Sequence, residues 1–331
     1  MTRARPRSIT SKLLAWYRVS HRDLPWRATH DPYRIWVSEI MLQQTRAEAV
    51  IPYYEKFLQR FPTAAALAGA RQDEVLASWA GLGYYTRARN LHRAATQVAA
   101  GFPADYDGIR RLPGVGDYTA AAIASIAFGL PYAVVDGNVL RVVARIMNDP
   151  ADIGSAATRA RFRDIAQRWL DRRHPGEFNQ AVMELGATVC LPRAPRCADC
   201  PLSGDCAARR EGTVAQLPVK LRKTAPRYLE AALVVVERGG RVLSGQRLAS
   251  ESLMASFWEL PSPDQLRGLR DLRVIGSFRH TITHHHYRIS VCTGTVTRAP
   301  RGFAWLPAGN LHLLALTTAS KKALRLAGIP A

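Results

Sequence analysis

From Ile9 to about Arg210 the apolar positions recur at helical spacing, in windows such as YTAAAIASIAFG and TRARNLHRAATQVAA, with Gly or Pro interrupting at short intervals. The pattern predicts a compact all-α body. The stretch ARREGTVAQLPVKLRKTAPRY is polar, basic and broken by two prolines, as an extended connector would be. Beyond it the period changes. YLEAALVVVERGGRVLSGQR reads as two β-rich segments about a Gly-Gly turn, YRISVCTGTVT alternates like a further strand, and TTASKKALRLAGI reads as one closing helix. The expected architecture is therefore multidomain α+β, with a helical domain at 1–210, a connector at 211–227 and a small α+β domain at 228–331. No internal repeat or low-complexity tract interrupts this plan.

Composition adds a partner. A chain of 331 residues, 47% of them hydrophobic, can bury a sizeable core and is long enough for two domains. Its 46 Lys and Arg outnumber 26 Asp and Glu to give a formal charge of +20, which favours a polyanion through counterion release. Nucleic acid is the leading partner, against a merely solvated basic surface. No apolar run approaches the roughly 20 residues of a membrane span, and the basic start MTRARPRSITSK lacks the apolar stretch of a signal peptide. We expect a soluble, cytoplasmic, nucleoid-associated protein with reduced thiols and no membrane partner. Only six of the basic residues are lysines, of which Lys12 and Lys56 fall in the helical body before the cysteine-rich stretch.

Three motifs carry candidate chemistry. CLPRAPRCADCPLSGDC sets Cys190, Cys197, Cys200 and Cys206 at C-x6-C-x2-C-x5-C, close enough for one loop to wrap a metal centre, either an iron-sulfur cluster or zinc. LPGVGDYTA, Leu112 to Ala120, matches neither a P-loop nor a dinucleotide fingerprint. Its glycines ahead of a helix make either a plain turn or backbone N–H groups open to a DNA phosphate. Asp136, in AVVDGNVLRV, reads alone as a helix N-cap. Glu39, in SEIMLQQT, shares a helix face with Gln43 while Val37, Ile40 and Met41 pack another, and by itself reads as an exposed-face glutamate.

Taken together, these motifs resemble a known superfamily. The cysteine spacing is similar to the [4Fe-4S] loop of the endonuclease III superfamily of helix-hairpin-helix DNA glycosylases, and the hairpin followed by Asp136 is similar to its signature. The resemblance implies a [4Fe-4S] cluster on the four cysteines, docking to DNA through Arg193, Arg196, Arg209 and Arg210, and a phosphate grip at Gly114, Val115 and Gly116. Bifunctional members carry a lysine where this chain has Tyr118, and tyrosine cannot form the Schiff base that precedes strand cleavage. A monofunctional glycosylase is the expectation.

PWRATHDPYRIWVSEIMLQQTRAEAVIPYYEKF, GLGYYTRARNLH, DGN and NQAVMELGATVC are similar to the MutY family of adenine DNA glycosylases. This resemblance implies Glu39 as the acid that protonates adenine N7 and later the base towards water, its pKa raised by Trp36, Ile40 and Met41. Asp136 would stay ionised and steady the sugar, with Asn138 beside it and Tyr118 covering both carboxylates. Arg27 and Glu184 would contact adenine, Glu184 alternatively reaching Glu39, and Gln44 and Tyr84 would wedge into the base stack.

FWELP after the Gly-turned strand pair resembles the start of a Nudix-like fold, yet SPDQLRGLRDLR lacks the acidic cluster that would hold Mg²⁺. A lesion-recognition domain without hydrolase activity follows from the resemblance. FRHTITHHHY is similar to the family's Phe-Ser-His recognition loop, with Ile282, Thr283 and His284 in its place, so that Thr283 keeps a hydroxyl and the aromatic wedge is lost. His280, His284, His285 and His286 form an alternative metal-binding group, and Cys292 reads as an inert core residue. The implied substrate is double-stranded DNA with adenine opposite 8-oxoguanine or guanine, acted on by a monomer. A thymine or uracil mismatch glycosylase and a non-catalytic iron-sulfur DNA-binding protein stay open beside it.

Overall fold

A computed structural model describes residues 8–221, 225–248, 251, 254, 256–282 and 284–330. The chain divides into two units, Met1–Ala70 with Asn90–Leu221, and Arg71–Arg89 with Arg222–Ala331. The helices up to residue 210 are α1 (Ile9–Ser20), α2 (Pro32–Leu42), α3 (Ala47–Arg60), α4 (Ala64–Ala68), α5 (Gln72–Ser78), α6 (Thr86–Val98), α7 (Tyr106–Arg110), α8 (Asp117–Phe128), α9 (Gly137–Met147), α10 (Ala156–Trp169), α11 (Pro175–Thr188) and α12 (Ala207–Arg210). The helical body read from the sequence is thus present, with α5 and the first turn of α6 falling in the second unit.

Local signals set the helix starts. Asp31 caps α2 by accepting from the Tyr33 N–H, ahead of Pro32 in the first turn. Asp136 caps α9 by accepting from the Val139 N–H at 2.7 Å, and Pro175 opens α11. Helix α8 is the centre of the first unit: Thr119 to Ile126 are all buried, and α2, α7 and α11 pack on it. Its small side chains permit this. A Cβ at Gly176 of α11 would lie 2.8 Å from the Ser125 carbonyl oxygen of α8, so backbone meets backbone there. Around it Trp36, Met41 and Ile35 of α2 are fully buried, each contributing roughly 1.5–3 kcal/mol by leaving water.

The second unit contains β1 (Arg227–Val235), β2 (Glu237–Arg238), β3 (Arg241–Gln246), β4 (Trp258–Glu259), β5 (Arg270–Ile282), β6 (His285–Thr295), β7 (Phe303–Pro307) and α13 (Thr318–Leu326). One sheet has the order β1-β6-β5, with β1 parallel to β6 and β5 antiparallel to it; the other joins β2, β4 and β7 to β3. This is the α+β unit expected. Gly239 and Gly240, both at positive φ (58° and 69°), make the turn from β2 to β3. Val234 and Val236 enter one core while Val235 enters another, as the two-residue period of a strand requires. Strand β5 escaped the sequence reading because its first half is exposed on both faces and its register shifts twice, which erases the alternation.

Candidate active site

The first unit holds a cavity of about 680 Å³, lined by side chains from α2, α3, α8, α9 and α11 and from the segment that follows α1. Glu39 of α2, Tyr118 of α8, Asp136 and Asn138 at the start of α9, Glu184 of α11 and Arg27 from the turn Pro25–Arg27 all face it. Glu39 is only 4% exposed, which excludes the exposed-face reading. Burial raises its pKa to about 7; the Asp136 charge adds to the rise, while the Tyr118 hydroxyl and Arg27 oppose it. The apolar walls differ from those expected. Trp36, Ile40 and Met41 lie in the core, and Leu24, Trp26, Ile35, Leu42 and Ile126 line the cavity instead.

Asp136 caps α9, as read from the sequence alone, and its carboxylate also faces the cavity. Burial raises its pKa too, but two donors oppose this: the Val139 N–H on Oδ1 at 2.7 Å and the Asn138 amide on Oδ2 at 2.8 Å. Among the described residues the Glu39 carboxyl accepts from the Tyr118 hydroxyl alone, at 2.7 Å from Oε2. Asp136 thus has more donors to steady a negative charge than Glu39 has. Tyr118 is pushed well above its ordinary value by burial and by both carboxylates, and stays a neutral donor.

Glu184 is occupied. Its Oε1 accepts from the Arg22 backbone N–H and Nε, at 3.0 and 2.9 Å, and its Oε2 from Arg22 Nη2 and Arg27 Nη2, at 2.9 and 2.7 Å. Burial would raise its pKa, but these donors hold it down to about 2. Its hydrogen-bond partners are thus arginines, not Glu39. Arg22, Met183 and Arg141 are participants that sequence reasoning missed. Arg22 also reaches Glu48 at 2.8 Å, and Met183 Sδ lies 3.3 Å from the Tyr118 hydroxyl. Arg141 bonds Asn138 Oδ1 at 2.8 Å and the carbonyls of Gly186 and Cys190 at 2.7 Å. No spacing rule marks Arg22 or Met183; Arg141 was findable only as the residue one helical turn beyond Gly137.

The other predicted residues stand apart from the cavity. Gln44, just past the C-cap of α2, is exposed and in left-handed backbone (φ 59°). Gly114 has φ 79°, and a Cβ there would also lie 2.7 Å from Asn90 Cβ, so glycine is required twice over. Gly116 is the exposed N-cap of α8, and Val115 between them is buried, its carbonyl accepting from Arg110 at 3.0 Å. Tyr84 and His284 belong to the second unit, Tyr84 exposed with φ 49° and the His284 ring tilted against that of His285, their centroids 4.0 Å apart. Thr283 lies outside the described residues. Among the described residues no lysine lines the cavity.

Cys190, Cys197, Cys200 and Cys206 together line a separate small cavity between α9 and the loop after α11. Arg145 of α9 approaches Cys190 Sγ at 3.3 Å, and Cys206 Sγ lies 3.4 Å from the Arg145 carbonyl oxygen. Among the described residues no three His, Cys, Asp or Glu side chains converge on the position of a single ion.

A helical body of this kind, with a hairpin ahead of a capped aspartate, defines a class. Residues 37–168 match the HhH-GPD superfamily of base excision DNA repair proteins. A thermostable thymine-DNA glycosylase structure is 30% identical with a TM-score of 0.56, covering 61% of this chain and 95% of its own. An endonuclease III trapped as a covalent intermediate on DNA, at 20% identity and a TM-score of 0.52, covers 61% of this chain and 94% of its own and shares the fold. The particular relationship comes from sequence. The human adenine DNA glycosylase is 35% identical over 397 residues, spanning 95% of this chain and 72% of its own length. That of Mycobacterium tuberculosis is 46% identical over 213 residues, spanning 62% and 70%. The chain belongs to the adenine DNA glycosylase family, whose reaction is hydrolysis of the N-glycosyl bond of adenine in DNA.

Proposed function

We propose that this protein excises adenine lying opposite 8-oxoguanine or guanine and leaves the strand intact. The observation that carries the reading is the pair of unlike carboxyls in one cavity, Glu39 buried with its pKa raised to about 7 and Asp136 held by the Val139 N–H and the Asn138 amide. Glu39 gives its proton to adenine N7, the sugar-to-N9 bond breaks, and Asp136 faces the positive sugar. Water then attacks the sugar, and its proton passes to Glu39. Arg27, held by Glu184 together with Arg22, presents a fixed guanidinium to the flipped base. The absence of lysine from the cavity lining supports base removal without a Schiff base.

Around this chemistry we assign Gln44 and Tyr84 to the opened stack, Gly114, Val115 and Gly116 to a backbone phosphate, and Thr283 and His284 to the orphaned lesion. The four cysteines, which line one small cavity between α9 and the loop after α11, suit a [4Fe-4S] cluster. Such a cluster would tie the loop at 190–206 to α9. We read the protein as a monomer acting on intracellular DNA; no helix among the described residues is long and apolar enough to cross a membrane. The test is base release from duplexes containing A:8-oxoG, A:G, G:T and G:U. Release from the adenine mispairs alone is expected, and Glu39→Gln should cost about 10²–10⁴-fold in rate with DNA affinity retained. Release from G:T or G:U in preference would overturn the assignment.

A further inference from the structure

The Tyr118 hydroxyl has one proton and two acceptors within reach: Glu39 Oε2 at 2.7 Å and Met183 Sδ at 3.3 Å. While Glu39 is a carboxylate, the hydroxyl donates to it and the sulfur is only in contact. When Glu39 is protonated on the oxygen that faces adenine, Oε2 becomes a much weaker acceptor, and the phenolic hydrogen bond can swing to the sulfur. We propose that Met183 is a positioning residue whose sulfur receives the Tyr118 proton while Glu39 is in its acid form, and so favours that form. The inference rests on the reading of Glu39 as the acid.

The sequence of events balances without any bond to sulfur. Glu39 passes its proton to adenine; the Tyr118 hydroxyl rotates from Met183 Sδ to the new carboxylate; when water returns a proton to Glu39, the hydroxyl rotates back. A thioether is a weak acceptor, but an inward-facing hydroxyl with none at all is worse. Leucine in its place would leave the hydroxyl only Glu39 to serve. The other charged groups of the cavity are Asp136, Arg27, Arg22 with Glu184, and Arg46 and Glu48 at the start of α3. None of these is hydrogen-bonded to Met183 among the described residues; Met183 is partly exposed on α11 and faces the cavity.

The experiment is the pH dependence of single-turnover adenine release from an A:8-oxoG duplex, for wild type, Met183→Leu, Tyr118→Phe and the double variant. Met to Leu conserves volume and apolarity. Wild type should show a rate that falls as pH rises through about 7, where Glu39 loses its proton. Met183→Leu should move that midpoint down by about half a pH unit, the size of one weak hydrogen bond. Tyr118→Phe should move it up, since the hydroxyl stabilises the carboxylate. In the Tyr118→Phe background, Met183→Leu should move nothing. A falling limb that Met183→Leu leaves in place, or shifts equally in both backgrounds, overturns the proposal alone. A wild-type rate that does not fall across this range overturns the Glu39 assignment with it.

Discussion

Glu39 sits where water barely reaches it, and that placement has a cost in stability as well as a use in chemistry. Its folded pKa of about 7 lies above the unfolded value of 4.5. A carboxyl shifted upward favours the folded state in its protonated form, so its contribution is whole below about pH 4.5 and gone once pH has risen through about 7. Glu39→Gln should therefore gain stability over wild type on going from pH 5 to pH 8, by on the order of 2 kcal/mol, measured by urea unfolding at both values. An equal difference at the two pH values would contradict the shifted pKa. At this scale the motif made Glu39, Tyr118 and Asp136 legible, because each stands at a fixed offset within a short stretch of chain. Glu184 was legible as a site residue but not in its partners: Arg22 and Arg27 are more than 150 positions away, and only the packing of α1 against α11 brings them together.

Between elements, the tightest point behind the site is where α9 meets α11. A Cβ at Gly186 would lie 2.5 Å from Asn138 Cβ and 3.1 Å from its Cα. Gly186→Ala must push Asn138 off α11, and with it the amide that holds Asp136 Oδ2. We expect at least about a tenfold loss of adenine release together with about 1–3 kcal/mol of stability, typical of overpacking; unchanged release in the alanine variant would show that α9 yields without moving Asn138. Helix starts at Asp31, Asp136 and Pro175 were legible because capping is local. Strand β5 was not, since its pairing to β6 is broken by two register shifts and six of its thirteen positions in a row are exposed.

Across the molecule the formal charge of +20 points to DNA, but part of it is committed inside. Arg145, 1% exposed, bonds the carbonyls of Val214, Leu217 and Leu191, and Arg141, Arg22 and Arg27 are held by carbonyls or carboxylates around the site. Net charge was legible in the sequence; which arginines are spent on the fold was not. The remaining surface charge predicts that non-specific duplex binding weakens at least about 100-fold between 50 and 200 mM salt, read from titrations at several ionic strengths; a flat response would mean that the free arginines do not meet the backbone. The account as a whole turns on removal of a base by two unlike carboxyls without a lysine. Its most direct test follows an end-labelled A:8-oxoG duplex with wild type and Glu39→Gln, before and after alkali. Strand breaks that appear only after alkali, and only with wild type, are the predicted result; breaks before alkali, or undiminished breaks with Glu39→Gln, would contradict it.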